Sequence, residues 1–241
     1  MDLPGGEEHV RLTESWLRGE IAIPEIAHKW SEGPAVPIEL VLPDRATVDE
    51  PVRIGVRMTN NKAGHDFPTG PLDIIQAWVE LNVTDDAGAI VYQSGMLDES
   101  HFIEAGSFIF KAEAVDQYGN LIDRHNLWEM VGVRFKRSLF PGFADQASYT
   151  FSCAGAGAEV NDVAPPELEE THELTLPQSP TGALHVSARL RYRKIDQFLL
   201  NFLLGEGNQV TAPVTTLSEA QGTIPVIGSG VGLVPDVNGQ G

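Results

Sequence analysis

The segment Asn60-Asn61-Lys62-Ala63-Gly64-His65-Asp66-Phe67-Pro68-Thr69-Gly70 sets an imidazole, a carboxylate and an aromatic ring among turn-forming residues. A neutral imidazole can ligate a metal or carry a proton near physiological pH. Gly64 would permit close approach to His65, and Pro68 would limit the motion of the loop. A loop held between two strands is a suitable place for a ligand, because the scaffold fixes its direction. The plainer reading is a long inter-strand turn with Phe67 in the core and His65 in water. His65, Asp66 and Asp73 together offer nitrogen and oxygen donors. No H-E-x-x-H or other two-histidine spacing accompanies them, and no Ser/His/Asp signature or phosphate loop occurs. His101, in Glu99-Ser100-His101-Phe102, and His125, in Arg124-His125-Asn126, are further candidate ligands.

Composition limits the chemistry. Among 241 residues there is one cysteine, Cys153, so the chain has no internal disulfide and no Cys-based zinc site. It also has no C-x-x-C-H run for covalent haem attachment. A net charge of −18 argues against a nucleic-acid partner, which requires a basic footprint. No apolar run reaches the roughly 18 residues of a membrane-spanning helix. No basic n-region followed by an apolar h-region opens the chain.

The elements that must position these residues are mostly strands. Period-two alternation runs through Val52 to Thr59 and Ala77 to Val83, which flank the His65 loop. Asp85-Asp86-Ala87-Gly88 reads as a hairpin connection into Ile90-Val91-Tyr92. Phe108 to Val115, Val131 to Lys136 and Ala147 to Ser152 continue the pattern, separated by Gly, Pro and Asp turns. Leu184, Val186, Ala188, Leu190 and Tyr192 share one face of a long strand whose other face carries His185, Ser187, Arg189, Arg191 and Arg193. Strands at this spacing predict an all-β, immunoglobulin-like antiparallel β-sandwich with a short helix towards each end. One helix covers Glu7 to Arg18, with Gly19 at its C-terminus; Pro24 to Trp30 could add a turn. The other runs from Gln197 to Leu204, capped by Asp196, and is apolar nearly all round, so it should be buried on more than one side.

Three regions follow. Residues 1–34 form a helical docking or linker segment, and residues 35–205 a β-sandwich domain with an acidic loop insertion at 154–183. Residues 206–241 make an irregular Gly-rich tail. The lone Cys153 reads as a strand-end residue, and His172 and His185 as surface residues.

Taken together, Gly64 to Gly70, Ala77-Trp78-Val79-Glu80-Leu81, Asp86-Ala87-Gly88, Ser94-Gly95, Leu97-Asp98 and Ala188-Arg189-Leu190-Arg191-Tyr192-Arg193 resemble the C-terminal β-sandwich domain of bacterial multihaem c-type cytochromes. The likeness covers roughly residues 7 to 205, and its most specific part is the GHxFPTG-like segment. In those proteins the domain follows a haem-bearing region rich in C-x-x-C-H motifs. This chain departs from that pattern in having none, so any haem it serves would be a haem c held by a partner chain.

The resemblance therefore implies a non-catalytic subunit or domain of a multihaem electron-transfer assembly, whose partner is a multihaem c-type cytochrome subunit. Its location would be periplasmic or extracellular, where c-type haems are assembled. His65 would be the first choice as an axial ligand to haem iron. Phe67, His101 and His125 would be further cofactor contacts, and His9 and His28, in and near the docking helix, could also lie close to a haem. Arg189, Arg191 and Arg193 could neutralise haem propionates, or simply pair with acids on neighbouring strands. The alternative is an extracytoplasmic β-sandwich module that binds calcium on acidic loops, or carbohydrate through Trp78, Trp128 or Tyr92 at the surface.

Overall fold

In the computed structural model, residues 4–29, 32–48, 50–71, 73–152, 182–205 and 207–227 are described. The chain runs α1 (Gly6–Arg18), a 3-10 turn (Pro24–Lys29), β1 (Ile38–Val41), β2 (Ala46–Thr47), β3 (Pro51–Thr59), β4 (Gln76–Asp85) and β5 (Ile90–Ser94). It continues through β6 (Ile109–Phe110), β7 (Ala112–Val115), a 3-10 turn (Leu127–Glu129), β8 (Gly132–Lys136) and β9 (Ala144–Ser152). The last elements are β10 (Ala183–Arg193), α2 (Gln197–Leu204) and β11 (Thr215–Ile227).

One sheet has the order β1-β3-β9; the other has the order β2-β11-β10-β4-β5, with β6 also paired to β4. The pairings are antiparallel except β11 with β2. Alternation sends Val52, Ile54, Val56 and Met58 from β3 and Ala147, Tyr149 and Phe151 from β9 into one core. Ala77, Val79, Leu81 and Val83 from β4 and Leu184, Val186, Ala188 and Leu190 from β10 meet them there. This is the all-β, sandwich-like fold that the period-two patterning predicts. Fully burying side chains of this kind stabilises by roughly 1.5–3 kcal/mol each, which makes the interleaved faces the main source of stability.

Register sorts the loops by end. Gln76 pairs with Arg193, and Thr59 with Ala144, at one end. Asp85 pairs with Leu184, and Pro51 with Ser152, at the other. The first end carries the loop 60–75, the excursion 95–108 and the turn 137–143. From it also extends the two-stranded β7–β8 arm, an antiparallel ribbon paired outside both sheets.

Two expectations are corrected here. The tail expected to be irregular over 206–241 contains β11, the longest strand among the described residues, paired to β10 from Pro225↔Ala183 to Thr215↔Tyr192. Its period is hard to read because only Leu217 and Ile224 are deeply buried, and the register slips between Leu190 and Arg191. Helix α2 also differs from expectation. Asp196 caps it by accepting from Leu199 N–H at 2.8 Å, but only Gln197 and Leu199 are buried. Phe198, Phe202, Leu203 and Leu204 are each more than half exposed. Eight residues at the rim of a sandwich can lay only one side against it.

Helix α1 matches expectation. It stops at Gly19 (φ 76°), whose N–H caps the last turn. It lies beside the start of β11, where Thr215 donates to Glu14 and Arg18 to the Thr216 carbonyl. The acidic insertion expected at 154–183 lies outside the described residues up to 181, as do Cys153 and His172.

Candidate functional site at the loop-rich end

The His65 loop is built on Asn60, which is 1% exposed. Its Nδ2 donates to the carbonyls of His65 and Leu139, each at 3.0 Å, and its Oδ1 accepts from Ala63 N–H at 3.0 Å. Its backbone N–H donates to the Phe143 carbonyl at 3.0 Å, and its carbonyl accepts from Gly142 N–H at 2.9 Å. One buried amide thus ties the His65 loop to the turn at 139–143. Phe67 and Leu139 exchange both backbone hydrogen bonds, closing the same seam. Asp66 accepts from Ser138 at 2.9 Å and from Lys136 at 3.3 Å.

His65 itself is exposed. Its Nδ1 lies 3.0 Å from the Asp66 carbonyl oxygen, which can only accept. Nδ1 therefore carries the proton, and in the neutral ring Nε2 carries the lone pair. Metal-ligating histidines are held in this way, the far nitrogen donating to a carbonyl or carboxylate. Phe67 is different. It is 8% exposed, edge-on to Phe110 at 6.1 Å and beside Tyr192 at 6.5 Å. Its ring belongs to the core, which corrects the expectation of a cofactor contact: it has no free face to offer.

His101 and His125 stand at the same end of the sandwich. His101 occupies the last position of a loop in which Asp98 Oδ1 accepts from Ser100 and Phe102 N–H. Two other loops repeat this pattern, with Asp85 accepting from Ala87 and Ala89, and Asp116 from Tyr118 and Asn120. Those two place Gly88 (φ 78°) and Gly119 (φ 84°) where this one places His101 (φ 65°). An L-residue there costs about 1–2 kcal/mol relative to a right-handed conformation. His125, also left-handed (φ 57°), sets Nδ1 2.8 Å from Oδ2 of the buried Asp73. That carboxylate fixes the His125 tautomer as the carbonyl does for His65.

The other histidines among the described residues lie elsewhere. His185 is at the opposite end, with Nε2 2.7 Å from Asp86, and is half exposed, as a surface residue should be. His9 is in α1, and His28 in the first 3-10 turn.

The basic strand divides. Arg189 meets Glu80 at 3.1 Å and Glu219 at 3.7 Å on its two neighbouring strands, and Arg191 meets Glu80 at 3.4 Å. These are the cross-strand pairs anticipated as the structural alternative. Arg193 breaks the row. It is 2% exposed, donates to Gln76 Oε1 and the His101 carbonyl at 2.6 Å each, and lies 5.6 Å over the Trp78 ring. Burial pushes its pKa down from the usual guanidinium value, against the pull of Asp196 and Asp98. Alternation alone puts Arg193 outward; the excursion 95–104 then folds over it. Nothing local in the sequence signals that cover.

Of the aromatics a carbohydrate module would need outside, Trp78 and Tyr92 are buried. Only Trp128, at 81% exposed, is presented. Sequence reasoning missed the exposed pair Phe140 and Phe143, which are 57% and 67% exposed with ring centres 6.3 Å apart. Among the described residues, no group of three His, Cys, Asp or Glu side chains comes together as a metal site. No helix there is long and apolar enough to cross a membrane.

No family model and no curated protein matches the sequence. Among solved structures, the chain is similar to a penta-haem cytochrome c552 from Thermochromatium tepidum, at 12% identity and a TM-score of 0.46. That alignment covers 90% of this chain and 50% of the cytochrome, so the chain spans about half its length. It is also similar to a CARDB domain from Pyrococcus furiosus, solved in complex with di-metal ions, at 11% identity and a TM-score of 0.32. There the alignment covers 80% of this chain and 94% of the domain.

Proposed function

We propose that this chain is a non-catalytic subunit or domain of a multihaem cytochrome assembly. Its loop-rich end would lie over a haem c held by another polypeptide, outside the cytoplasm, with His65 as an axial ligand to the iron. The observation that carries this reading is the His65 tautomer. The Asp66 carbonyl holds the N–H, and Nε2 is left with its lone pair on an exposed ring. One imidazole suffices for an axial position, so the lack of a three-ligand cluster among the described residues is no obstacle.

Each residue has a defined task on this reading. Asn60 fixes the loop, the Asp66 carbonyl orients the ring, and His65 donates a nitrogen lone pair. Exposed Phe198, Phe202, Leu203 and Leu204 on α2 give the same end an apolar surface for the partner polypeptide. The haem, when bound, supplies the electron transfer; this chain makes and breaks no covalent bond.

The test uses the isolated chain and a soluble c-type haem peptide that has one histidine attached and one axial position open. Titration is expected to convert the haem to a low-spin, bis-histidine spectrum, and His65→Ala should remove that conversion. Equal conversion by the His65→Ala variant would sink the ligand role.

A further inference from the structure

We infer that Phe140 and Phe143 form an apolar rest for the face or edge of the haem that His65 ligates. The inference builds on the reading of His65 above and adds residues that no motif indicates.

Three observations converge. Both phenyl rings are more than half exposed, on a turn whose other large apolar residue, Leu139, is buried in the core. The turn is fastened to the His65 loop: Asn60 binds the carbonyls of His65, Leu139 and Phe143 and accepts from Gly142, and Phe67 and Leu139 exchange backbone hydrogen bonds. The two loops therefore form one unit, not two separate surfaces. Finally, the rings meet edge-to-face at an interplanar angle of 69°, so they present a step, not a flat platform.

A ligand suited to this unit needs a Lewis-acidic centre for the imidazole nitrogen and a broad apolar body for the phenyl groups. An iron porphyrin has both in one molecule. A hydrated metal ion has no apolar body, and a sugar, which can donate a hydroxyl to the imidazole nitrogen, has no Lewis-acidic centre for it to ligate. Exposed aromatic rings of this kind bind by removing apolar area from water, and the partner-held haem is the occupant that also uses Nε2.

The same haem-peptide titration tests this when run on the Phe140→Ala/Phe143→Ala double variant. Both side chains are largely exposed, so the urea midpoint and circular dichroism should match those of the parent chain. The expected result is at least about tenfold weaker binding with an unchanged low-spin spectrum at saturation. Affinity equal to the parent's would overturn the role of the rings and leave the ligand role of His65 standing. A low-spin spectrum lost even at saturation, in a folded double variant, would also overturn it, because the rings would then be positioning His65. If the parent chain itself fails to convert the haem peptide, the His65 reading falls and this inference falls with it. A Phe140→Leu/Phe143→Leu variant gives an independent check. It keeps apolar bulk and should recover most of the lost affinity; no recovery would count against apolar packing.

Discussion

Arg193 donates to the backbone carbonyl of His101 at 2.6 Å, joining the end of β10 to a loop 92 positions earlier in the chain. The guanidinium is enclosed, and its other partner, Gln76 Oε1, also lies 2.6 Å away. His101 keeps its left-handed backbone within the loop that this bond anchors.

Replacing Arg193 with Met should therefore cost more than the loss of one hydrogen bond. The Gln76 amide oxygen and the His101 carbonyl would be left without their donor, and the Trp78 ring would lose its cation. Removing one member of a buried polar set of this kind costs roughly 3 kcal/mol or more. Urea denaturation of Arg193→Met should show that loss, whereas Arg189→Met, at a half-exposed cross-strand pair, should cost under about 1 kcal/mol. Equal costs at the two positions would contradict the enclosure of Arg193.

Gly88 and Gly95 share a φ of 78° but have different neighbours. A Cβ on Gly88 meets nothing within 4 Å, so Gly88→Ala should cost about 1–2 kcal/mol, from backbone strain alone. A Cβ on Gly95 would lie 2.1 Å from the Val79 carbonyl oxygen, which is fixed in the centre of a sheet. Moving Gly95 would also disturb its carbonyl, which accepts from Trp78 Nε1 at 3.0 Å. Gly95→Ala should therefore cost at least about 3 kcal/mol or prevent folding. Thermal denaturation of the two variants side by side measures the difference.

Asp196 links α2 to pH. Burial pushes its carboxyl above the ordinary aspartate value of 3.8, against the lowering effects of the Leu199 N–H and Arg193. The folded state thus prefers the protonated form, and the sign follows. This contribution to stability is full below the ordinary value and is lost as pH rises through the raised one. Asp196→Asn keeps an oxygen for the helix cap and cannot ionise. Relative to the parent, the variant should gain stability as pH is raised from 3.5 to about 7, measured by urea denaturation across that range. A constant difference would remove Asp196 as the source.

How much of this was legible in the sequence varies with the range of the interaction. Period-two alternation revealed β3, β4 and β10, because each has one face in the shared core. The turns at Asp85 and Asp116 could be read from Asp and Gly spacing alone. Exposed His65 and buried Phe67 also follow the plainer reading of their loop. Arg193 could not be read: its burial depends on a loop from another part of the chain closing over an outward face. Phe140 and Phe143 look like core residues by type, and only long-range ties, through Asn60 and the Phe67–Leu139 pair, put them beside the His65 loop. Strand β11 escaped notice because a polar strand with two anchoring side chains has almost no hydrophobic period. Its existence depends on backbone pairing with β10.

That pairing has a consequence for how the chain assembles. Strand β10 sits between β4, synthesised about a hundred residues earlier, and β11, synthesised after it, and β11 also reaches back so that Val226 pairs with Ala46. The larger sheet therefore cannot complete itself during synthesis until residue 227 has emerged. A chain cut after α2, where the recognisable motifs stop, would leave one whole side of β10 unpaired. Its open row of amides and carbonyls would be a template for aggregation. The least conspicuous segment of the sequence is thus the one that seals the larger sheet.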